Sequence, residues 1–348
     1  MSAVFFLLRR LGWAALVVAG VTALSFVIAA VLPGDPARML VGPQASAADV
    51  EHARRVYGLD QPLPAQMGAY ARKLVHVAPA PSAPAAGAGA GARRDPAHRS
   101  CAAMPFRLHL DLGYSFHYRK PVVELIAAKA PRSAELAAAA LLVQLALGLA
   151  LGLLAASRRG SFWDEATVGA TLLTVSAPTF VLGLALQYVL AYRLRLLPYD
   201  GHGQTSAEQL RSLVLPALTL GLHGCALYAR VVREELRVLI QQDFVRAARA
   251  KGASRLRALV VHALRNALVP LATLAALDFG ALVGGAIVTE KLFRWPGLGQ
   301  MAVEALQNRD GPLIVGAVLF AAAAIVAATL ILDVVCLLLD PRLRAPRR

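Results

Sequence analysis

Charge is scarce in this 348-residue chain: Asp, Glu, Lys and Arg make up 16% of it, against about 25% in an ordinary soluble domain. Acidic residues are the scarcer sign, 21 against 36 Lys and Arg, which leaves a formal net charge of +15. Three cysteines, Cys101, Cys225 and Cys336, are too few and too scattered for a disulfide framework, and no Cys/His run has metal-ligand spacing. No G-x-x-x-x-G-K-[ST] run occurs, which excludes the familiar phosphate-cradling loop of ATPases. The apolar stretches contain no H-E-x-x-H motif and no Ser/His or carboxylate pair, so an intramembrane enzyme has nothing to work with.

What the chain has in excess is apolar surface, 57% of its residues. Leu11–Leu32, Leu136–Ala156 and Ala166–Tyr192 hold no Asp, Glu, Lys, Arg or His. Ala267–Thr289 and Pro312–Leu339 hold one acid each, Asp278 and Asp333, and the shorter Leu213–Ala229 holds only His223. A helix crosses roughly 30 Å of hydrocarbon with about 20 residues. The six runs therefore predict an all-α membrane protein with six transmembrane helices; the alternation of barrel strands is missing from them. Basic residues before Leu11–Leu32 also open a signal peptide, but the run exceeds the about 7–15 apolar residues of such a leader. An uncleaved first span is expected.

The positive charge is a topology signal. With both termini cytoplasmic, 17 Lys and Arg fall inside, six lie in the two short outside loops, and 13 occupy the long first loop, which counts little toward orientation. Nothing in this distribution points to nucleic acid. The expected organisation is an N-terminal segment with the first span at 1–32 and an external loop at 33–132. A transmembrane core of five helices follows at 133–339, then a basic cytoplasmic tail at 340–348. Within the external loop, 33–77 reads as ordered, with a helical stretch at Ala47–Tyr57 turned at Gly58. From 78 to 104 the composition collapses into Ala, Pro and Gly, a mobile insertion that cannot bury a core. Its Gly87-Ala88-Gly89-Ala90-Gly91 superficially echoes a dinucleotide fingerprint, but no strand precedes it and no amphipathic helix follows.

The segment 230–265, between spans four and five, spends about 35 residues where a hairpin needs few. Arg233–Ala250 favours helix by composition. Gly252 supplies a position where positive φ is cheap, and Ser254 is placed to cap a second helix, Arg255–Leu264. One reading is a basic loop that sets orientation and touches lipid headgroups. The other is a docking element for a cytoplasmic partner, and the length of the segment favours it.

Here the chain resembles the permease subunits of bacterial ABC importers, and within them the first permease of the dipeptide/oligopeptide/nickel type. Asp243-Phe244-Val245-Arg246-Ala247-Ala248-Arg249-Ala250-Lys251-Gly252 is similar to that group's EAA loop, with Arg246 in place of the general Glu. His262-Ala263-Leu264-Arg265-Asn266-Ala267-Leu268 follows it as in the subgroup. Leu32-Pro33-Gly34-Asp35-Pro36, Gly58-Leu59-Asp60-Gln61-Pro62-Leu63 and Asp111-Leu112-Gly113-Tyr114-Ser115 extend the resemblance along the chain. So do Leu215-Pro216-Ala217-Leu218-Thr219-Leu220-Gly221, Trp295-Pro296-Gly297-Leu298-Gly299 and Asp340-Pro341-Arg342. The 78–104 insertion has no counterpart in the usual pattern. The resemblance implies a type I importer fold in the bacterial inner membrane and a heterodimer with a second permease. Its further partners are two cytoplasmic ATPases that bind ATP and Mg, an external solute-binding protein and the lipid bilayer. No cofactor is then expected in this chain. Arg246, Ala247, Ala248, Lys251 and Gly252 are the expected coupling residues, and a short helix at about Gly299–Gln307 is implied as part of an external vestibule.

An ionisable group inside a span is expensive and invites a functional reading. Asp278 either lines the pathway or is a hydrogen-bonded packing residue; both readings stand at this point. Asp333 calls for a structural partner such as a nearby Arg. His223, Gln144 and Gln187 read as interhelical hydrogen-bonding groups. Gly148-x-x-x-Gly152 and Gly280-x-x-x-Gly284 allow close helix approach, within the chain or against a second permease. Pro178 and Pro216 are expected to kink spans three and four, and Phe293 and Trp295 to anchor span five at the interface. A self-sufficient channel or secondary transporter is the competing class; it calls for charge pairs across several spans or inverted repeats, and neither is clear in the sequence.

Overall fold

A computed structural model describes residues 3–31, 36–42, 44–56, 58–77, 101–103, 108–158, 160–284 and 286–339. The described residues are dominated by helix: α1 Ala3–Val31, α2 Pro36–Val41, α3 Ala47–Val56 and α4 Leu63–Leu74 come first. Three short strands follow, β1 Val75–Val77, β2 Cys101–Ala103 and β3 Leu108–Asp111, then α5 Val122–Ser157, α6 Phe162–Ser176 and α7 Thr179–Leu186. The remainder is α8 Ser206–Leu239, α9 Asp243–Ala250, α10 Arg255–Arg257, α11 Leu264–Val283, α12 Ile287–Leu292, α13 Leu298–Gln307 and α14 Gly311–Leu339. Among the described residues α5, α8, the run Arg255–Val283 and Gly311–Ile331 of α14 are long and apolar enough to cross a membrane. The bent pair α6–α7 forms a fifth candidate, and α1 carries the shorter apolar stretch Gly12–Ile28.

The chain divides into two compact units. The first comprises Met1–Leu11, Pro131–Gln300 and Ala324–Arg348. Its centre is α8, which packs on α6, α7 and α11. A capping box starts this helix: Glu208 N–H donates to Thr205 Oγ1 at 3.3 Å while Thr205 N–H donates to Glu208 Oε2 at 3.2 Å. Tyr228, Val232 and Leu236 of α8 are fully buried with Ala263, Ala267 and Leu271 beyond them. Gly148 and Gly152 let α5 approach this row. A Cβ on Gly148 would stand 2.4 Å from Tyr228 Cβ, and one on Gly152 2.6 Å from Val232 Cβ. The first small-residue pair therefore serves packing inside this chain. Gly280 does the same against Ile325 and Ala328 of α14.

The two prolines behave differently. At Pro178 the chain breaks: Ala177 is extended (φ −81°, ψ 130°), as a residue before proline tends to be, and Pro178 leads into α7. The helices on either side meet at 102°. Pro216 lies inside α8, which runs on to Leu239 as one helix. Span five also differs from the expected Ala267–Thr289. The helical run is Arg255–Val283, with a π-helical stretch at Ala258–Ala263 in place of a helix end at Leu264. Asp278 consequently lies near the end of the run.

The second unit comprises Gly12–Ala130 and Met301–Ala323. Helix α3 is capped reciprocally: Asp49 N–H donates to Ser46 Oγ and Ser46 N–H to Asp49 Oδ2, both at 3.2 Å. The Ser46 hydroxyl, also bonded to that carboxylate, holds its pKa below the ordinary value. Gly58 ends the turn after α3 at φ +66°, and Ala37, Val50 and Ala53 form a small core there. The strands make one antiparallel sheet in the order β1-β3-β2, with Val75 opposite Leu110 and Cys101 opposite Asp111. Most of the Ala/Pro/Gly insertion lies outside the described residues. Its Cys101–Ala103 forms β2.

Candidate functional site

The expected docking segment resolves into a separate short helix. Sequence composition reads Arg233–Ala250 as one helix, but α8 stops at Leu239 and α9 begins at Asp243 after a turn through Ile240–Gln242. Val245 fastens α9 to the bundle: it is fully buried among Leu236, Ala258, Leu259 and Ala263. The C-terminus is a Schellman motif. Gly252 N–H donates to Arg249 O at 3.0 Å, Ala253 N–H to Ala248 O at 3.1 Å, and Gly252 stands at φ +92°. A Cβ there would meet nothing within 4 Å, so the glycine is required for its left-handed backbone and not for space. Ser254 Oγ then accepts from Arg257 N–H at 3.3 Å, the cap expected from its position.

Helical periodicity divides α9 into faces. Val245 faces the core; Arg249, one turn later, follows it but is itself exposed. Phe244, Ala247, Ala248 and Lys251 share another stripe at i, i+3, i+4 and i+7, the spacing by which a helix seats in a groove. Phe244 is 44% exposed, Ala247 and Lys251 are exposed, and Ala248 is half-buried. Arg246 is exposed off this stripe and Gly252 is exposed beyond the helix end. Sequence reasoning overlooked Phe244, although its spacing from Ala247, Ala248 and Lys251 was there to read.

Asp278 is distant in sequence from α9 and belongs to another environment. Half-buried on α11, it accepts a hydrogen bond from the fully buried Tyr228 of α8 at 3.1 Å. Gln144 and His223 have the interhelical partners expected of them, whereas the partner of Gln187 is a carbonyl of the loop that follows its own helix. Gln144 donates to Leu220 O at 3.3 Å, and His223 Nδ1 lies 3.2 Å from Thr174 O. Gln187 donates to Tyr199 O at 3.0 Å. Asp333 lies on α14, and the contacts of its side chain fall outside the described residues.

Two buried acids organise the loops, and neither stood out in the sequence. In the first unit Glu290, fully buried, accepts from Ser133 Oγ at 2.8 Å and from Gln300 N–H at 3.0 Å, at the first turn of α13. Ser133 Oγ in turn accepts from Leu298 N–H at 2.8 Å. Gly297 leaves room for this carboxylate: a Cβ would stand 2.3 Å from it and force it to shift. Trp295 and Phe293 are core residues in this fold, 0% and 2% exposed, and not the interfacial anchors expected of them. The reason is a partner: Trp295 Nε1 donates to Arg132 O at 2.9 Å, and its ring packs on Leu136, Leu213 and Ala217. In the second unit Asp310, also fully buried, accepts from Ser115 Oγ at 2.5 Å and His117 N–H at 3.0 Å. It also accepts from Leu313 N–H at 3.3 Å, capping α14. An Asp directly before an apolar helical run is the one sequence signal that marks it. Tyr118, hydrogen-bonded to Glu304, is pushed up to about 12, mainly by burial and then by that carboxylate.

Comparison with known proteins follows the same lines. Residues 148–345 match the family described as binding-protein-dependent transport system inner membrane component, and residues 3–89 match the N-terminal region of the same systems' membrane components. A putative peptide transport system permease protein of Brucella abortus is 33% identical over 341 residues, covering 97% of this chain and 98% of that protein. The dipeptide transport system permease protein DppB of Escherichia coli K12 is 30% identical, with the same two coverages. The glutathione transport system permease protein GsiC of Escherichia coli O6:H1 is 33% identical over 93% of this chain and 94% of that one. With more than half of its length matched and relatives aligned nearly end to end, the chain belongs to the binding-protein-dependent transport system inner membrane components, the non-catalytic permease subunits of ABC importers.

Proposed function

We propose that this chain forms half of the translocation pathway for peptides or related small solutes, in the inner membrane of a bacterium. It pairs there with a second, different permease subunit, in a type I arrangement of six spans with both termini cytoplasmic. An external solute-binding protein delivers cargo, and two cytoplasmic ATPases holding ATP and Mg supply the energy. The names of the similar peptide, dipeptide and glutathione permeases support the class of cargo.

The observation that carries this reading is α9. It is a short helix, anchored by the buried Val245 and closed at its C-terminus by the Gly252 turn, that leaves Phe244, Ala247, Ala248 and Lys251 for a partner. An element fixed to the spans on one side and seated in an ATPase groove on the other transmits a rigid-body movement in both directions. Arg246, off the stripe, and Gly252, which sets the exit of the chain, complete the coupling surface. Asp278, oriented by the Tyr228 hydroxyl, lies on the pathway and meets the cationic end of a solute.

Purification of the chain with its neighbouring gene products tests the proposal. Two ATPases are expected to co-purify, and the loaded binding protein to stimulate their hydrolysis. Ala248→Glu or Gly252→Pro is expected to uncouple uptake while the chain still inserts, and Asp278→Asn to slow uptake with hydrolysis retained. Uptake that continues without any ATPase partner would assign the chain to channels or secondary transporters. Uptake of defined peptides, with and without the cognate binding protein, identifies the cargo.

A further inference from the structure

A second feature of the α8–α10 region is unused by coupling. A cavity of about 230 Å³ opens at the ends of α5 and α8, lined by Ala156, Leu236, Arg237, Ile240, Arg249 and Arg255. Three arginines thus share the cavity with aliphatic Ala156, Leu236 and Ile240, and among the described residues no acid lines it. The nearest carboxylate to Arg237, that of Glu234 at 3.4 Å, is shared with Arg233 at 2.8 Å.

The level of the cavity is set by the helices around it. Ala156 lies at the last turn of the spanning helix Val122–Ser157, and Leu236 and Arg237 at the last turn of Ser206–Leu239. Just after α5 come Phe162 and Trp163, 75% and 49% exposed, with the Arg158 guanidinium 5.6 Å from the Trp163 ring centre. Exposed aromatics beside arginines mark the headgroup level of a bilayer. A protein carboxylate would satisfy the charge of this cavity but not its aliphatic lining. A phosphodiester with the root of its acyl chains satisfies both, and guanidinium groups match phosphate oxygens with paired hydrogen bonds. Basic pockets between spanning helices at this level are suited to lipid headgroups.

We propose that this cavity binds the headgroup of an anionic phospholipid, of the phosphatidylglycerol class, from the leaflet on the α9 side. Arg249 lies one turn after the buried Val245 of α9 and Arg255 opens α10, both exposed at the mouth of the cavity, so the lipid phosphate ties both to the end of α8. Occupancy then stiffens the seat of α9. The site is independent of whether α9 takes an ATPase.

Native mass spectrometry of the full chain in detergent, titrated with phosphatidylglycerol or phosphatidylcholine, tests this. Phosphatidylglycerol is expected to bind at least about ten-fold more tightly. Arg249→Gln with Arg255→Gln should abolish the preference, and Arg249→Lys with Arg255→Lys should keep most of it. Equal binding of the two lipids overturns the proposal, as does an unchanged preference in the glutamine variant. Loss of ATPase co-purification in that variant, with phosphatidylglycerol binding intact, assigns the arginines to a protein carboxylate and also overturns it. A photoactivatable phosphatidylglycerol on the unmodified chain gives a reading independent of variant folding. Crosslinks within Leu236–Ile240 or Arg249–Arg255 are expected, and crosslinks confined to other segments refute the site.

Discussion

Arg233 Nε donates to Asp164 Oδ1 at 2.7 Å, joining the last turns of α8 to the first turn of α6. The other carboxylate oxygen accepts from Gly160 N–H at 3.1 Å, so one Asp side chain holds both the α5–α6 turn and α8. Side-chain exposure is 8% for Asp164 and 19% for Arg233, which shields the pair from salt. Asp164→Asn and Arg233→Gln, singly and together, are expected to show a coupling of about 1–2 kcal/mol in thermal or denaturant unfolding in detergent. Additive effects would mean that the pair contributes geometry alone.

If α9 docks on an ATPase as proposed, Phe244 is expected to dominate its contact, as aromatic anchors dominate most interfaces. Phe244→Ala should weaken ATPase association about ten-fold, about 1.4 kcal/mol, without altering the amount of inserted chain. Binding measured between the purified permease pair and its ATPases checks this.

Gly148 and Gly169 make a matched comparison. A Cβ at Gly148 collides with Tyr228, while one at Gly169 meets nothing within 4 Å. Gly148→Ala should therefore destabilise the chain by about 1–3 kcal/mol through overpacking, and Gly169→Ala should be neutral or slightly stabilising. Unfolding midpoints of the two variants in one detergent separate the cases.

Tyr118 provides a pH signature. Its folded-state pKa is raised to about 12, above the ordinary 10.0, so the folded chain binds the phenolic proton more tightly than the unfolded one. The associated stability is fully present below about pH 10 and is lost as pH rises toward about 12. The absorbance difference between wild type and Tyr118→Phe should show one phenol ionising near that upper value. A midpoint near 10 would show that burial and Glu304 do not act on the phenol.

Local chemistry was the legible part. The Gly58 turn, the Gly252 stop and the Ser254 cap each involve residues within a few positions of one another, and sequence spacing located them; the Ser46–Asp49 cap is equally local but was overlooked. Glu290 and Asp310 were not legible, because their burial is decided by Ser133 and Ser115, 157 and 195 residues away. Trp295 was misread for the same reason, its partner being the Arg132 carbonyl. The break between α8 and α9 has no Gly or Pro to announce it. Pro178 and Pro216 are the same residue type, yet only the first interrupts its helix. Tertiary packing made that distinction.

The sheet of the second unit sets a lower bound on chain length. β1 and β2 both pair antiparallel to β3, so they run parallel to each other on its two sides. Val77 ends opposite Leu108, whereas Cys101 starts opposite Asp111, at the other end of the central strand. A tight turn cannot join parallel strands; a crossover of about a dozen residues or more is needed. Excision to a hairpin would therefore cost the sheet its third strand.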